Sequence, residues 1–312
     1  MSLNRRAFLA TAASVAWAAP NKTDAVAGNK FQVAALTMLD GHGNPDEMMA
    51  KDYLAYLRNN GVEGMLVLGS NGEFASFSVA ERKRVLESYV RHRGNLYVTS
   101  HVGTSNLPET LDLLAHATSA GADSVLVVPP FYYKNVSVEG LVEYYSPILR
   151  AARLPVFLYN IPQNSGVAIT FELLRRLSSF ERLAGVKDSF NKADVIQATI
   201  REFPKLKIFA GNPGNTEANL SAGGAGIISG PGSVVPRETA AIFEAFRNHG
   251  DVHAAQMRHD EAASWIKGYD AVPAMKFALS RMGLRESACR APFVALTADQ
   301  RRELAAKLPK VG

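Results

Sequence analysis

Lys187 stands at the end of an apolar run, Leu183-Ala184-Gly185-Val186, and is followed by the polar pair Asp188-Ser189. Such a run reads as a buried strand that carries an amine to its C-terminal tip, and in parallel α/β sheets and barrels ligands bind at the strand tips. An amine partly withdrawn from water loses some preference for its charged form and can attack a carbonyl carbon to form an imine. Two other runs end in chemistry that complements an amine. Pro155-Val156-Phe157-Leu158-Tyr159-Asn160-Ile161-Pro162 delivers a phenol able to move protons. Gly64-Met65-Leu66-Val67-Leu68 runs into Gly69-Ser70-Asn71-Gly72-Glu73, a turn whose backbone N–H groups can face an anion.

Each residue alone has a plainer reading. Most lysines are solvated surface charges, a lone Tyr159 reads as a half-buried strand-end aromatic, and Ser70 and Asn71 read as turn formers. Phe131, Tyr132 and Tyr133 fit packing under a loop or at an interface as well as they fit a site. The order and company of the three strand ends are what point to carbonyl chemistry.

The elements that must position these residues alternate along the chain. Strand patterns fall near residues 33, 65, 98, 126, 157, 185, 208 and 227, with helical patterns between them. Asn44-Pro45-Asp46 offers a helix start with proline in the first turn, and Ser78-Val79-Ala80-Glu81 a capping box. Eight strands separated by helices predict a (β/α)8 TIM barrel. After a closing helix near 236–248, periodic segments at about 251–267, 273–283 and 298–307 exceed what a barrel needs and predict a C-terminal helical extension. The expected organisation is a leader over 1–20, a linker over 21–30, the barrel over 31–248 and the extension over 249–312.

Composition narrows the function classes. The chain is 47% hydrophobic and 20% charged, the balance of a globular protein with a sizeable core. Its formal charge of +5 is scattered through amphipathic segments with acids beside the bases, so no nucleic-acid footprint emerges. Cys289 is the only cysteine, which excludes an internal disulfide, and the seven histidines form no metal-ligand pattern. Asn4-Arg5-Arg6-Ala7-Phe8-Leu9, followed by an apolar stretch and small residues up to Ala19-Pro20, resembles a twin-arginine export signal. The apolar stretch is too short to span a bilayer, so the mature form is expected free of the membrane, in the periplasm if export occurs and in the cytoplasm otherwise. Loss of residues 1–20 removes Arg5 and Arg6 and no acid, which leaves a charge of +3.

Five motifs in order carry a resemblance: Gly69-Ser70-Asn71-Gly72-Glu73, Pro129-Pro130-Phe131-Tyr132-Tyr133, Tyr159-Asn160-Ile161-Pro162, Gly185-Val186-Lys187-Asp188-Ser189 and Gly226-Ile227-Ile228-Ser229. Over residues 30 to 310 the chain resembles the dihydrodipicolinate synthase and N-acetylneuraminate lyase family. The resemblance implies a homotetrameric class I aldolase that needs no metal or organic cofactor and takes pyruvate, or another 2-oxo acid, together with an aldehyde. It implies that Lys187 forms the imine, that Tyr159 shuttles protons, that Ser70 sits in the relay, and that Tyr132 completes the relay from a neighbouring subunit. Gly69, Ser70 and Asn71 would hold the substrate carboxylate, and Asn164, Gly211, Asn212 and Ile228 would line the substrate site, with Asn215 and Ser233 as further lining positions.

Departures from the family pattern bear on the substrate. Synthases that condense pyruvate with aspartate semialdehyde usually carry arginine two residues after the Tyr-Asn-x-Pro motif, where this chain has Asn164. Gly69 to Phe74, Asn164-Ser165-Gly166 and Cys289-Arg290-Ala291-Pro292 look similar to 4-hydroxy-2-oxoglutarate aldolases, and aldolases for 2-keto-3-deoxy sugar acids stay open beside them. The dihydrodipicolinate synthase activity is the alternative. A 2-oxo acid binding protein without turnover is the alternative of another class, but it would be expected to lack the lysine or the tyrosine. A metal-dependent class II aldolase would need histidines and carboxylates clustered at the strand ends. Gly223-Gly224-Ala225-Gly226 could cradle a phosphate or allow close packing, and the resemblance favours packing.

Overall fold

The computed structural model describes residues 30–190 and 192–308. The expected leader and all but the last residue of the expected linker lie outside them. Eight strands, β1 (Lys30–Ala34), β2 (Gly64–Val67), β3 (Tyr97–His101), β4 (Ser124–Val127), β5 (Val156–Asn160), β6 (Leu183–Asp188), β7 (Lys207–Ala210) and β8 (Gly226–Ser229), run parallel in sequence order, and β8 closes on β1. The expected TIM barrel is therefore the observed fold.

Alternation along each strand separates two cores. On β5, Phe157 and Tyr159 point into the barrel with Leu66, Leu126, Phe209 and Ile228. Val156 and Leu158 point outward to the shell beneath the helices, as do Val186 on β6 and Ile208 on β7. An inward position at a strand's C-terminal end is thus both buried and at the mouth of the barrel. Tyr159 and Lys187 occupy such positions.

The connecting helices are α1 (Glu47–Asn59), α2 (Val79–His92), α3 (Leu107–Ala120), α4 (Val138–Ala151), α5 (Pro162–Ser165), α6 (Phe171–Leu177), α7 (Ala193–Glu202), α8 (Thr216–Ser221) and α9 (Pro236–Arg247). The Ser78/Glu81 capping box forms as read. At α1 the cap is Asp46, whose carboxylate accepts from the Met49 N–H. Pro45 lies before that cap, paired with Leu39 in a short antiparallel bridge. One helix has no counterpart in the sequence reading: α5, a single turn after Tyr159-Asn160-Ile161, which opens on Pro162 and stops at Gly166 with φ 69°.

Beyond the barrel follow α10 (Val252–Ala262), α11 (Ala271–Arg281) and α12 (Ala298–Lys307). The segment expected as one helix over 251–267 breaks at Ala263 into a 3-10 turn, which seats Trp265 in the core. Glu73, with φ 58° and a fully buried side chain, accepts from Lys276 of α11 at 2.5 Å and from the Arg290 backbone N–H at 2.7 Å. The turn that carries Ser70 is thereby tied to the C-terminal helices. The glycines at 223–226 lie at the start of β8, the end of the barrel away from Lys187. A Cβ on Gly226 would stand 2.2 Å from the Lys30 carbonyl, and one on Gly224 would stand 2.3 Å from Asn219. Close packing accounts for Gly224 and Gly226, and Gly223 takes a left-handed φ of 86° with open space around it.

Candidate active site

Lys187 is 3% exposed and projects into the barrel mouth from β6. Its Nζ donates to the Tyr159 Oη at 3.1 Å and lies 4.2 Å from the centre of the same ring. The Tyr159 Oη is also 3.4 Å from the Ser70 Oγ, and the Ser189 hydroxyl bonds the phenol as well. Burial works to raise the phenol's pKa, but the Lys187 charge and the hydrogen bonds from Ser70, Lys187 and Ser189 outweigh it, so the phenol ionises below its ordinary value of 10. A buried tyrosine made more acidic is a better proton carrier near neutral pH than a free one.

The strand tips beneath this pair are locked. Asn160 donates to the Asp188 carboxylate at 2.6 Å and accepts from the Ile169 N–H, while the other Asp188 oxygen accepts from the Phe190 N–H. Burial raises the Asp188 pKa against the pull of these two hydrogen bonds. Both residues stood inside the recognised motifs without an assigned role. The signal was their place directly after Tyr159 and Lys187.

His101, at the end of β3, lies outside every motif read from the sequence. Its ring meets Phe74 edge-on at 4.4 Å and Tyr159 at 6.3 Å. Arg82 donates to the His101 carbonyl at 2.8 Å and approaches Nδ1 at 3.5 Å. A guanidinium only donates, so Nδ1 accepts and the proton resides on Nε2. Burial, then Arg82, then Lys187 hold this imidazole well below its ordinary 6.5, and it is neutral beside the two cations.

The remaining expected residues divide into those brought to the site and those placed elsewhere. Gly69, Ser70 and Asn71 follow β2 at the mouth, and the Asn71 amide lies so close to Gly230 that a Cβ there would come within 2.0 Å of it. Gly211 follows β7; its N–H donates to the Asp188 carbonyl, and a Cβ on it would fall 1.9 Å from the Ser189 Oγ. Gly211 therefore makes room for the hydroxyl that reaches Tyr159. Ile228 is buried in the barrel interior with Tyr159. Asn164 sits on α5 and lines a cavity of about 280 Å³ that opens beside Ser70.

Asn212 instead caps its own turn by accepting from the Gly214 N–H, and Asn215 closes that turn. Ser233 is fully buried and accepts from the Tyr53 hydroxyl at 3.1 Å, a core bond in place of a lining role. Within one chain Tyr132 does not reach Tyr159; it is 75% exposed and packs edge-on against Tyr133, itself 70% exposed. Among the described residues, no group of three or more His, Cys, Asp or Glu is placed to hold a metal ion, and no helix is long and apolar enough to cross a membrane.

A closed parallel barrel with a buried lysine and a phenol at its mouth defines a class I lyase. The chain belongs to the Dihydrodipicolinate synthetase family, whose model matches residues 29–311. It is 36% identical over 264 residues to a DapA-like lyase from Chloroflexus aurantiacus, an alignment covering 83% of this chain and 88% of the relative. With the 4-hydroxy-tetrahydrodipicolinate synthase of Methanococcoides burtonii it shares 32% identity over 267 residues, 83% of this chain and 90% of that one. Among solved structures, dihydrodipicolinate synthase DapA-2 from Bacillus anthracis superimposes with a TM-score of 0.84 at 26% identity, covering 90% of this chain and 99% of that chain. YagE, a prophage protein of the same family from E. coli K12 solved in complex with pyruvate, superimposes with a TM-score of 0.84 at 25% identity, covering 89% and 96%. The family assignment read from the five motifs holds. Lyases of this family act through a lysine imine and use no metal or organic cofactor.

Proposed function

We propose that this chain is a class I aldolase that binds pyruvate, or another 2-oxo acid, as an imine on Lys187 and makes or breaks the C3–C4 bond of a 4-hydroxy-2-oxo acid. The observation that carries this reading is the contact between the Lys187 Nζ and the Tyr159 Oη, 3.1 Å long and buried at the tips of two adjacent strands. In the synthetic direction the amine adds to the keto carbon and a water leaves. The protonated imine then draws electrons from C3, so that C3 can lose a proton and attack an aldehyde carbonyl carbon. Tyr159 is placed to take and return these protons, with Ser70 passing them on and Ser189 holding the phenol. The turn of Gly69, Ser70 and Asn71 is suited to the 2-oxo acid's carboxylate, because it offers fixed donors near the imine position. Water then returns to the imine carbon and frees the lysine, so the cycle balances without an oxidant or reductant.

The bond is of the type found in 4-hydroxy-2-oxoglutarate and the 2-keto-3-deoxy sugar acids, and the Lys187–Tyr159 pair does not fix the aldehyde end. The dihydrodipicolinate synthase alternative asks for a cation to take the carboxylate of aspartate semialdehyde, and an asparagine amide stands at position 164. A 2-oxo acid binding protein without turnover would gain nothing from a phenol whose pKa is lowered, and that favours catalysis. The exposed pair Tyr132 and Tyr133 supports a homotetramer in which a second copy covers the pair and Tyr132 enters the neighbour's relay. Arg5-Arg6 and the apolar stretch after them support export by the twin-arginine route.

The test is to incubate the protein with pyruvate, reduce with borohydride and map the mass adduct. An adduct on the peptide containing Lys187 is expected. A folded sample that gives no adduct with pyruvate or longer 2-oxo acids would sink the aldolase reading.

A further inference from the structure

We infer that the aldehyde partner carries an apolar side chain, aromatic or branched aliphatic, and neither a carboxylate nor a polyol; this rests on the imine reading above. The space for that partner is the cavity of about 280 Å³ that begins at Ser70, whose hydroxyl is 3.4 Å from the Tyr159 Oη, and runs outward over the strand tips. Its wall is made of Phe74, Val128, Phe131, Ile161, Pro292 and Phe293. Phe74 and Phe131 meet edge to face at 5.9 Å, which leaves an aromatic surface toward the cavity.

The polar groups in the wall are nearly all committed. The single Ser165 O–H is shared between the Ile161 and Val167 carbonyls, and its oxygen accepts from the Val167 N–H. Ser76 donates to the Ala291 carbonyl. Glu73 is held by Lys276 and the Arg290 N–H, and it would repel rather than attract an anion. What remains is the Ser70 hydroxyl, which the imine reading gives to the proton relay and the 2-oxo acid's carboxylate, and the Asn164 amide, enough for about one oxygen of the aldehyde. A chain of hydroxyls would lose its water without replacement partners, which is costly.

Among the described residues, no lysine, arginine or histidine lines the cavity. An ammonium beside the cavity is Lys134, whose Nζ is bound by the carbonyl oxygens of Phe131 and Ser165. Two of its three N–H donors are held there, which leaves one for a carboxylate. An aldehyde such as glyoxylate would place its charge against hydrophobic rings, whereas a phenyl or isobutyl group would displace water from them. The reaction is the one above: the C3 carbon of the pyruvate enamine bonds to the aldehyde carbon, the aldehyde oxygen takes a proton, and a 4-hydroxy-2-oxo acid with an apolar terminus leaves after hydrolysis.

The purified full chain would be given pyruvate with benzaldehyde, 3-methylbutanal, glyoxylate or glyceraldehyde in separate reactions, and kcat/KM would be measured for each by product mass and chromatography. Borohydride trapping of pyruvate would run in parallel. The two apolar aldehydes are expected to exceed glyoxylate and glyceraldehyde by about tenfold or more, the scale on which hydrophobic pockets discriminate. Asn164→Arg is expected to narrow that ratio by raising activity with glyoxylate, and Lys134→Ala to leave the ratio unchanged. A trapped Lys187 adduct together with equal or better use of glyoxylate or glyceraldehyde, or with no use of any apolar aldehyde, would overturn the inference and leave the imine reading standing. Collapse of glyoxylate activity in Lys134→Ala would overturn it too, by assigning the carboxylate to Lys134. Absence of the adduct would overturn both.

Discussion

Tyr159 and Lys187 are direct partners in the register of β5 and β6, and a bulge one turn of the pleat earlier makes them so. Val156 pairs with Leu183, but Phe157 pairs with Gly185, so Ala184 and Gly185 together oppose one residue. Without the extra residue Lys187 would stand opposite Asn160, and its side chain would leave the barrel, because a shift of one residue turns every side chain to the other face. Gly185 allows this geometry: a Cβ there would come within 1.9 Å of the Lys207 carbonyl oxygen. Gly185→Ala should therefore push β6 from β7. We expect a loss of about 1–3 kcal/mol of stability in urea unfolding together with a lower kcat. An unchanged enzyme on both readouts would remove the bulge from the mechanism.

Tyr159→Phe keeps the ring but removes the proton carrier. We expect kcat to fall by about 10²- to 10⁴-fold, the range typical of a lost general acid-base group, while borohydride still traps pyruvate on Lys187. Lys187→Met should abolish trapping. A Tyr159→Phe enzyme that turns over at the parent rate would take the phenol out of the relay.

The low pKa of Tyr159 depends on its neighbours, so it should move when one is removed. Ser70 is among the groups that favour the ionised phenol, and Ser70→Ala should shift that ionisation upward. The readouts are the pH profile of kcat, whose limb from this phenol moves to higher pH, and the phenolate difference absorbance. For the folded state the sign is the acid one: the favourable interaction of the phenolate is fully present above the unfolded value near 10 and is lost as pH falls through the lower folded value. A downward shift in Ser70→Ala would contradict the assignment.

Glu73 and Lys276 are buried together, with side chains 0% and 1% exposed. Lys276→Met would leave an uncompensated buried carboxylate at a cost of about 3–5 kcal/mol, whereas the double variant Glu73→Leu, Lys276→Met should recover most of that loss. Urea midpoints for the two single variants and the double variant complete the cycle. If losses simply add, the two groups do not act as a pair.

Arg290 bonds Glu81 at 2.6 Å and holds its carboxyl pKa near 2, against an ordinary 4.5. The linked stability is fully present above 4.5 and is lost as pH falls from about 4.5 to about 2. Both side chains are partly exposed, at 20% and 23%, so we expect only about 1 kcal/mol from this pair after screening by solvent. Arg290→Met should be less stable than the parent at pH 7, and the part of that difference due to Glu81 should fade across this window. A difference independent of pH would assign the effect of Arg290 to its bonds with the Gly43 and Ser76 carbonyls alone.

The sequence by itself determined the architecture and the chemistry at the strand tips. Both are local: apolar runs of strand length, caps such as Ser78/Glu81, and a lysine, a phenol and a Gly-flanked turn each placed where a run ends. The identity of the family lay in the same motifs. Tertiary structure alone decided how these parts meet. No periodicity announces the bulge at Ala184, because a single inserted residue leaves the apolar pattern of β6 intact while it changes the partner of Lys187. Ser189, His101 and the Asn160–Asp188 bond act through contacts between strands, and the Glu73–Lys276 pair joins residues 203 positions apart. Ser233 was misplaced for the same reason: whether a small hydroxyl faces a cavity or bonds Tyr53 depends on which helix packs above it, and that is settled only when the chain closes on itself.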